Sequence, residues 1–252
     1  MTGITSITFR QLTCDEIIEL VKKSGLDGIE WGGDVHVKPG DVELAKKVGE
    51  ATRAAGLQVL SYGSYCYVNE PDNVAADFAP VLASAEALGA PLIRVWPGGR
   101  APDKADEGFY DRNAEALRII GQMAAEKGIT VATEYHRGNL TENCESALKL
   151  MGKVGLDNVK TYWQPNPDIS FEENLREVTA VKPYLANTHV FQWTVGNVRY
   201  PLSDGDNVWP SYFKAMALDH TRQHAIIEFV KDDKPEQFLD DAATLLRWTK
   251  ED

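Results

Sequence analysis

Short runs crowded with apolar and β-branched residues alternate along this chain with longer stretches whose apolar residues recur every three or four positions. Ile4-Thr5-Ser6-Ile7-Thr8-Phe9 reads as a strand. Thr13 then opens a helix as its N-cap, with Glu16 three residues on in the capping-box position. That helix carries Ile17, Leu20 and Val21 on one face and stops at Gly25. The cycle repeats with strand 26–31 and helix 42–55, strand 57–62 and helix 74–88, strand 91–96 and helix 110–127, and strand 129–135 and helix 144–154. It continues with strand 159–163 and helix 171–181, strand 185–191 and helix 209–218, and strand 224–230 and helix 235–248. Glycines at 25, 56, 89, 128 and 155 mark the helix ends. Such alternation predicts a parallel sheet. Eight units in 252 residues, near the roughly 250 typical of one (β/α)8 barrel, predict closure into an α/β TIM barrel forming a single domain over residues 1–252. The competing arrangement, an open doubly wound sheet, would normally need fewer strands or an edge-strand signal.

A hydrophobic share of 43% and a charged share of 25% fit an ordinary globular chain and exclude a fibre or a disordered segment. The formal charge of −12 repels phosphate backbones, so no nucleic-acid partner is expected. A small anionic substrate stays open, because a local arginine or a metal reverses the field inside a pocket. Cys14, Cys66 and Cys144 are widely spaced and form no Cys-x-x-Cys pair, which fits a reducing compartment. The opening MTGITSITFR has no basic segment followed by an apolar stretch, and no apolar run approaches the roughly 20 residues that span a bilayer. These features predict a cytoplasmic protein with no membrane partner.

A barrel of this kind demands functional side chains at the C-terminal ends of its strands. Glu30 ends the second strand, with His36 in the following loop; Arg94 and Trp96 lie on the fourth. The fifth ends in Glu134-Tyr135-His136, the sixth in Trp163-Gln164-Pro165-Asn166, the seventh in Asn187-Thr188-His189, and the eighth carries Glu228 with Lys231 beyond. Alternation along a strand puts Glu134 and His136 on one face, and Ile226, Glu228 and Val230 on one face. Unpaired carboxylates under the helix layer are costly, so the inward orientation is preferred, provided that something compensates two neighbouring charges. A divalent cation does so. Glu134, Gln164, His189 and Glu228 then form a mixed O/N ligand set that suits Mn2+, Mg2+, Co2+, Fe2+ or Zn2+. The alternative for the two glutamates is an ion pair with Arg94 or Lys231.

At these residues the chain resembles the xylose-isomerase-like barrels, specifically the sugar phosphate isomerase/epimerase family that includes ketose 3-epimerases. The resemblance spans nearly the whole chain and is most specific at Glu134-Tyr135-His136, Thr188-His189-Val190 and Ile227-Glu228-Phe229, with Asp27-Gly28-Ile29-Glu30-Trp31 and His36 in support. It implies one divalent metal ion, with Mn2+ as the leading choice, on Glu134, His189 and Glu228. The family's strand-six aspartate is missing here, and Gln164 is the nearest residue to take its place. It implies Glu134 and Glu228 as the catalytic acid/base pair, exchanging protons with opposite faces of a substrate held as an enediolate. The expected activity is isomerisation or epimerisation of a sugar, keto-sugar or sugar phosphate; the alternative is a metal-dependent lyase or dehydratase on a keto-sugar or keto-inositol. Dimers and tetramers are common in such families, so a homo-oligomer is compatible.

Further residues have two readings each. Glu30, His36, Arg94, His136 and Arg199 are candidates to bind substrate; otherwise Glu30 and His36 hold a loop, Arg94 neutralises Glu134, His136 orients a ligand and Arg199 is a solvated loop residue. Trp31, Trp96, Trp163, Trp193 and Trp209 either stack on sugar faces or pack the barrel mouth. Cys66 lacks a matched base for thiol catalysis. Gly98-Gly99-Arg100 is a weak phosphate-loop signal. A DNA-repair endonuclease on the same barrel would cluster many histidines, whereas only His36, His136, His189, His220 and His224 occur. A non-catalytic sugar-binding barrel is the remaining class.

Overall fold

The computed structural model describes residues 1–219 and 223–250; His220 lies outside them. Eight parallel strands close on themselves: β1 (Thr2–Thr5), β2 (Gly28–Gly32), β3 (Gln58–Val68), β4 (Leu92–Pro97), β5 (Thr130–Thr133), β6 (Val159–Trp163), β7 (Leu185–Val190) and, after a short excursion, β10 (Ala225–Ile227). Closure is made by β1, which pairs with β2 on one side and β10 on the other. The open doubly wound alternative is thereby excluded.

The helices follow the apolar periodicity closely. They are α1 (Cys14–Ser24), α2 (Val42–Ala54), α3 (Val74–Leu88), α4 (Glu107–Ala125), α5 (Cys144–Val154), α6 (Phe171–Val181), α7 (Trp209–Met216) and α8 (Pro235–Trp248). Thr13 and Glu16 make the reciprocal capping box at the start of α1, and Gly25 ends that helix in the left-handed region, at φ 76°. Two features depart from the expected pattern. Ser6–Phe9 leaves β1 as a turn of 3-10 helix instead of continuing the strand, with all four residues buried. Between β7 and α7 the chain makes a small antiparallel ribbon, β8 (Trp193–Thr194) and β9 (Val198–Arg199), which no apolar alternation announces. No helix among the described residues is long and apolar enough to cross a membrane.

The main core lies between the barrel and its helices, whereas Leu92, Ala132, Tyr162 and Ala186 form a second, small cluster contributed by β4, β5, β6 and β7. The chemistry is carried on the same strands, two residues further on in β4 to β6: Arg94, Glu134 and Gln164 follow Leu92, Ala132 and Tyr162.

His224, just before β10, is buried, and its Nδ1 has no hydrogen-bond partner among the described residues. Burial, reinforced by the N-terminal ammonium, pushes its pKa down from 6.5 to about 4. A depressed pKa contributes stability that is fully present above about 6.5 and is lost as the pH falls through about 4. His224→Gln should therefore flatten the stability profile: between pH 7 and pH 4.5, wild type should lose about 1–3 kcal/mol more than the variant in urea unfolding. Parallel profiles would contradict a buried neutral His224.

Candidate metal and proton-transfer site

Two irregularities in the barrel aim its polar side chains. β3 carries one extra residue opposite β2, so that Ile29 pairs with Val59 but Glu30 pairs with Ser61. This sets the Ser61 hydroxyl 2.7 Å from Glu30 Oε2. β7 carries an extra residue opposite β6, where Thr161 pairs with Leu185 but Trp163 pairs with Thr188. Ala186 consequently packs in the inner cluster, while Asn187 and His189 also present their side chains to the residues of that cluster and to the carboxylates above it. A third device follows β10. Phe229 adopts a left-handed backbone, φ 55°, which a bulky side chain rarely takes, and its N–H donates to Thr8 Oγ1 at 3.0 Å. The preceding Glu228 is fastened by its own N–H to the Val190 carbonyl at 3.0 Å.

The resulting centre is buried. His189 Nδ1 lies 2.9 Å from Gln164 Oε1, 3.4 Å from Glu134 Oε1 and 3.6 Å from Glu228 Oε2. On the other side of the ring, Nε2 lies 3.3 Å from Glu30 Oε1, a carboxylate that only accepts, so a ring hydrogen on Nε2 suits this contact. Nδ1 faces three acceptor oxygens, an arrangement that a second ring proton or a cation between them relieves. Arg94 donates to Glu134 Oε2 and, at 3.3 Å, to Glu30 Oε1. Burial pushes Glu30 up, but the Arg94 charge, His189 and the Ser61 hydrogen bond outweigh it and hold this carboxyl well below the usual range. Tyr162 donates its hydroxyl to Glu30 Oε2 at 2.7 Å and accepts from Asn187 Nδ2 at 2.9 Å. Burial, with Glu30 adding to it, pushes the Tyr162 phenol well up, so it stays a donor.

Three buried carboxyl groups, Glu30, Glu134 and Glu228, face a single guanidinium, Arg94, so acidic groups outnumber basic ones in the centre and a divalent cation would offset the excess. Ligand atoms of Glu134, His189 and Glu228 all lie within 4.8 Å of one another. Two donors each about 2.1 Å from one ion sit about 3–4 Å apart, so the observed spacings fit a single ion. The donor set holds carboxylates, an amide oxygen and an imidazole, with no thiolate.

The structure brings Glu134, Gln164, His189 and Glu228 together, as their positions in the strand order suggested. Glu30 lies beneath them, fully enclosed, and its oxygens are taken by Arg94, His189, Ser61 and Tyr162. Both ring nitrogens of His36 are occupied, by Ser6 Oγ at 3.0 Å and the Leu12 carbonyl at 3.1 Å, which holds this histidine in the wall of the second loop. His136 and Arg199 stand at the mouth. The His136 ring tilts on Trp96 at 5.0 Å, and both His136 and Gln164 line a small cavity that Trp193 and Phe191 close. Arg199 lies 4.4 Å over the Phe229 ring and pairs with Asp233, which ties the β8–β9 ribbon to the loop after β10.

Of the tryptophans, Trp96 and Trp193 are at the mouth, whereas Trp31 donates to Thr52 of α2 and Trp163 and Trp209 pack against Tyr212 of α7. The expectation that all five face the catalytic side is corrected: strand parity turns Trp31 and Trp163 toward the helices. Burial pushes the Cys66 thiol up to about 11, away from a reactive thiolate. Arg100 packs over Phe109 at 4.6 Å, which accounts for the Gly98-Gly99-Arg100 turn without a phosphate. Ser61 and Tyr162 complete the centre and were not anticipated, whereas Asn187 lies in the polar strand-seven end already singled out; an inward phenol directly between the polar ends of β5 and β7 was the available signal for Tyr162.

Comparison with known proteins agrees with the geometry. A family model described as xylose isomerase-like TIM barrel matches residues 18–251. The chain belongs to that family. A 3-dehydroshikimate dehydratase from Bacillus anthracis is 21% identical over 169 residues, 63% of this chain and 59% of that relative, so the match leaves two fifths of the relative unaligned. Among solved structures, the probable 3-DHS dehydratase AsbF of Bacillus anthracis superposes with a TM-score of 0.81 at 16% identity, over 98% of this chain and 99% of that one. The 3-keto-D-glucoside 4-epimerase YcjR from E. coli gives 0.76 at 19% identity over 98% of each chain. The IolI protein with a bound zinc atom gives 0.78 at 15% identity over 99% of this chain and 98% of that one. These structures share the barrel and include an epimerase and a probable dehydratase.

Removing the Tyr162 hydroxyl leaves Glu30 Oε2 with one donor fewer and Asn187 Nδ2 without its acceptor. Tyr162→Phe should lower unfolding free energy by about 1–3 kcal/mol in urea titrations. An unchanged midpoint would mean that this network does not carry the load assigned to it.

Proposed function

We propose that this chain transfers a proton at the carbon beside a carbonyl in a small keto-sugar or related polyhydroxy ketone, with one divalent ion held by Glu134, Gln164, His189 and Glu228. The observation that carries the reading is the set of acceptor atoms around His189 Nδ1, at 2.9, 3.4 and 3.6 Å, inside a centre where three carboxyl groups meet one guanidinium. Mn2+ is the first choice of ion, with Mg2+, Co2+, Fe2+ and Zn2+ accommodated by the same donors. When bound, the ion would polarise the substrate carbonyl and stabilise the negative charge that develops as the proton leaves.

The chain's own residues supply the rest. Glu228 has no lysine or arginine within ion-pair distance among the described residues, so its carboxylate is the freer proton acceptor. Glu134 shares the Nδ1 side of the histidine with Glu228, is fixed by Arg94, and is the partner that returns the proton in this reading. Arg94 keeps Nη2 unpaired among the described residues, a donor suited to a substrate oxygen, and His136 and Arg199 flank the entrance. Trp193 and Phe191 restrict water there. Isomerisation or epimerisation follows if both carboxylates exchange protons. The working compartment in this reading is the cytoplasm, in keeping with three free cysteines.

The inequality between the carboxylates favours a second outcome. With Glu134 committed to Arg94 and Glu228 free, Glu228 takes the proton beside the carbonyl and hands it to the departing β-hydroxyl, which leaves as water as the C–C double bond forms; this is a dehydratase, the activity named for the Bacillus anthracis relative. Incubation in D2O with Mn2+ and a panel of ketoses and cyclic keto-acids separates the two. Epimerisation introduces one deuterium with no loss of water; elimination gives a dehydrated product. Either must vanish with EDTA and return with Mn2+. Glu228→Gln should lower the rate about 10²–10⁴-fold. Metal-independent turnover, or a Glu228→Gln variant as fast as wild type, would contradict the proposal.

A further inference from the structure

We infer that Glu30 is a positioning residue that fixes the tautomer and ring orientation of His189, so that Nδ1 is the nitrogen offered to the cation. The inference rests on the metal-bound reading of the centre and extends it to a residue that touches neither substrate nor ion. Glu30 is 0% exposed and both its oxygens are engaged by protein donors, which leaves none for a substrate. Its Oε1 faces His189 Nε2 at 3.3 Å, on the side of the ring opposite Gln164, Glu134 and Glu228. A carboxylate accepts only, so this contact places a hydrogen on Nε2; with a cation in place of a second ring proton among the oxygens around Nδ1, that lone pair is the one offered for a ligand bond.

Glu30 is itself immobilised. Arg94 and His189 meet Oε1, while Ser61 and Tyr162, both at 2.7 Å, meet Oε2. The Tyr162 ring also packs edge-on against the imidazole, with centroids 5.0 Å apart, so one assembly sets both the proton and the plane of His189. Gly63 makes room for it: a methyl group there would lie 2.8 Å from Arg94 Nη2 and 3.0 Å from Glu30 Oε1. An imidazole whose far N–H rests on a carboxylate is also a stronger donor to a cation. The competing role is that Glu30 serves only as the counter-ion of Arg94, in which case its loss would affect stability and leave metal affinity alone.

Two readouts on the full-length chain decide between these roles. The first is the 15N shift pattern of His189 in metal-free, histidine-labelled wild type, which should show Nε2 protonated and Nδ1 bare. The second is the Mn2+ dissociation constant by chelator competition, which Glu30→Gln should weaken about 10- to 100-fold. Tyr162→Phe removes one donor from Glu30 Oε2 but keeps the Glu30 charge and the ring against the imidazole, and should weaken Mn2+ binding less than Glu30→Gln does. Wild-type His189 protonated on Nδ1, or a Glu30→Gln variant that binds Mn2+ as tightly as wild type, would overturn the inference. A wild type that binds no Mn2+ while showing the Nε2–H tautomer would instead overturn the metal reading, because the positioning contact would then be present without its cation. The tautomer is read on wild type, so a poorly folding variant does not block the test.

Discussion

Three carboxylates, Glu30, Glu134 and Glu228, are enclosed in one barrel with a single guanidinium, Arg94. Unpaired charges of one sign in a closed interior are costly, and the cost is met here by geometry on both sides of His189. Below the ring, Glu30 is saturated by four donors. Above it, oxygens of Gln164, Glu134 and Glu228 converge on the other ring nitrogen. The lower half is saturated by protein donors; the upper half gathers acceptors, the arrangement on which the proposed cation site rests. That asymmetry separates scaffold from reactive face within a few ångströms.

The barrel makes this possible through its faults as much as its regularity. A perfectly regular β7 could not present both Ala186 and Asn187 to the inner cluster, and a regular β3 would put Leu60 opposite Glu30 in place of Ser61. The strained backbone at Phe229 belongs to the same set. It turns the chain immediately after Glu228 and lays an aromatic ring beneath Arg199 at the entrance, where the β8–β9 ribbon is latched by Arg199 to Asp233 and by Arg137 to Asp168 and Asn197. Rigid strands hold the ligands, while the loops that cover them carry the strain.

Much of this was legible beforehand, for reasons that differ by element. Helices such as α3, α5, α6 and α8 were readable to the residue because apolar residues recur at helical spacing through each, with Gly89 and Gly155 marking the ends of α3 and α5. Glu134, Gln164, His189 and Glu228 were readable because parallel barrels put strand ends on one face. The deeper half was not. Whether Glu30 meets substrate or supports His189 depends on the bulge at Ser61, and a one-residue insertion leaves no mark in a hydrophobic pattern. The same holds for the aromatic residues: Trp96 and Trp163 look alike at their strand ends, yet one faces the mouth and the other α7. The β8–β9 ribbon has two-residue strands, too short for any alternation to register.

The account turns on a cation relieving the acceptors around His189 Nδ1. Crystals grown with Mn2+ and measured on both sides of its absorption edge test this directly. One anomalous peak within about 2.0–2.3 Å of His189 Nδ1, Glu134 Oε1 and Glu228 Oε2 is the predicted result. No peak there at full Mn2+ loading, with His189 found doubly protonated between its carboxylates, would contradict it.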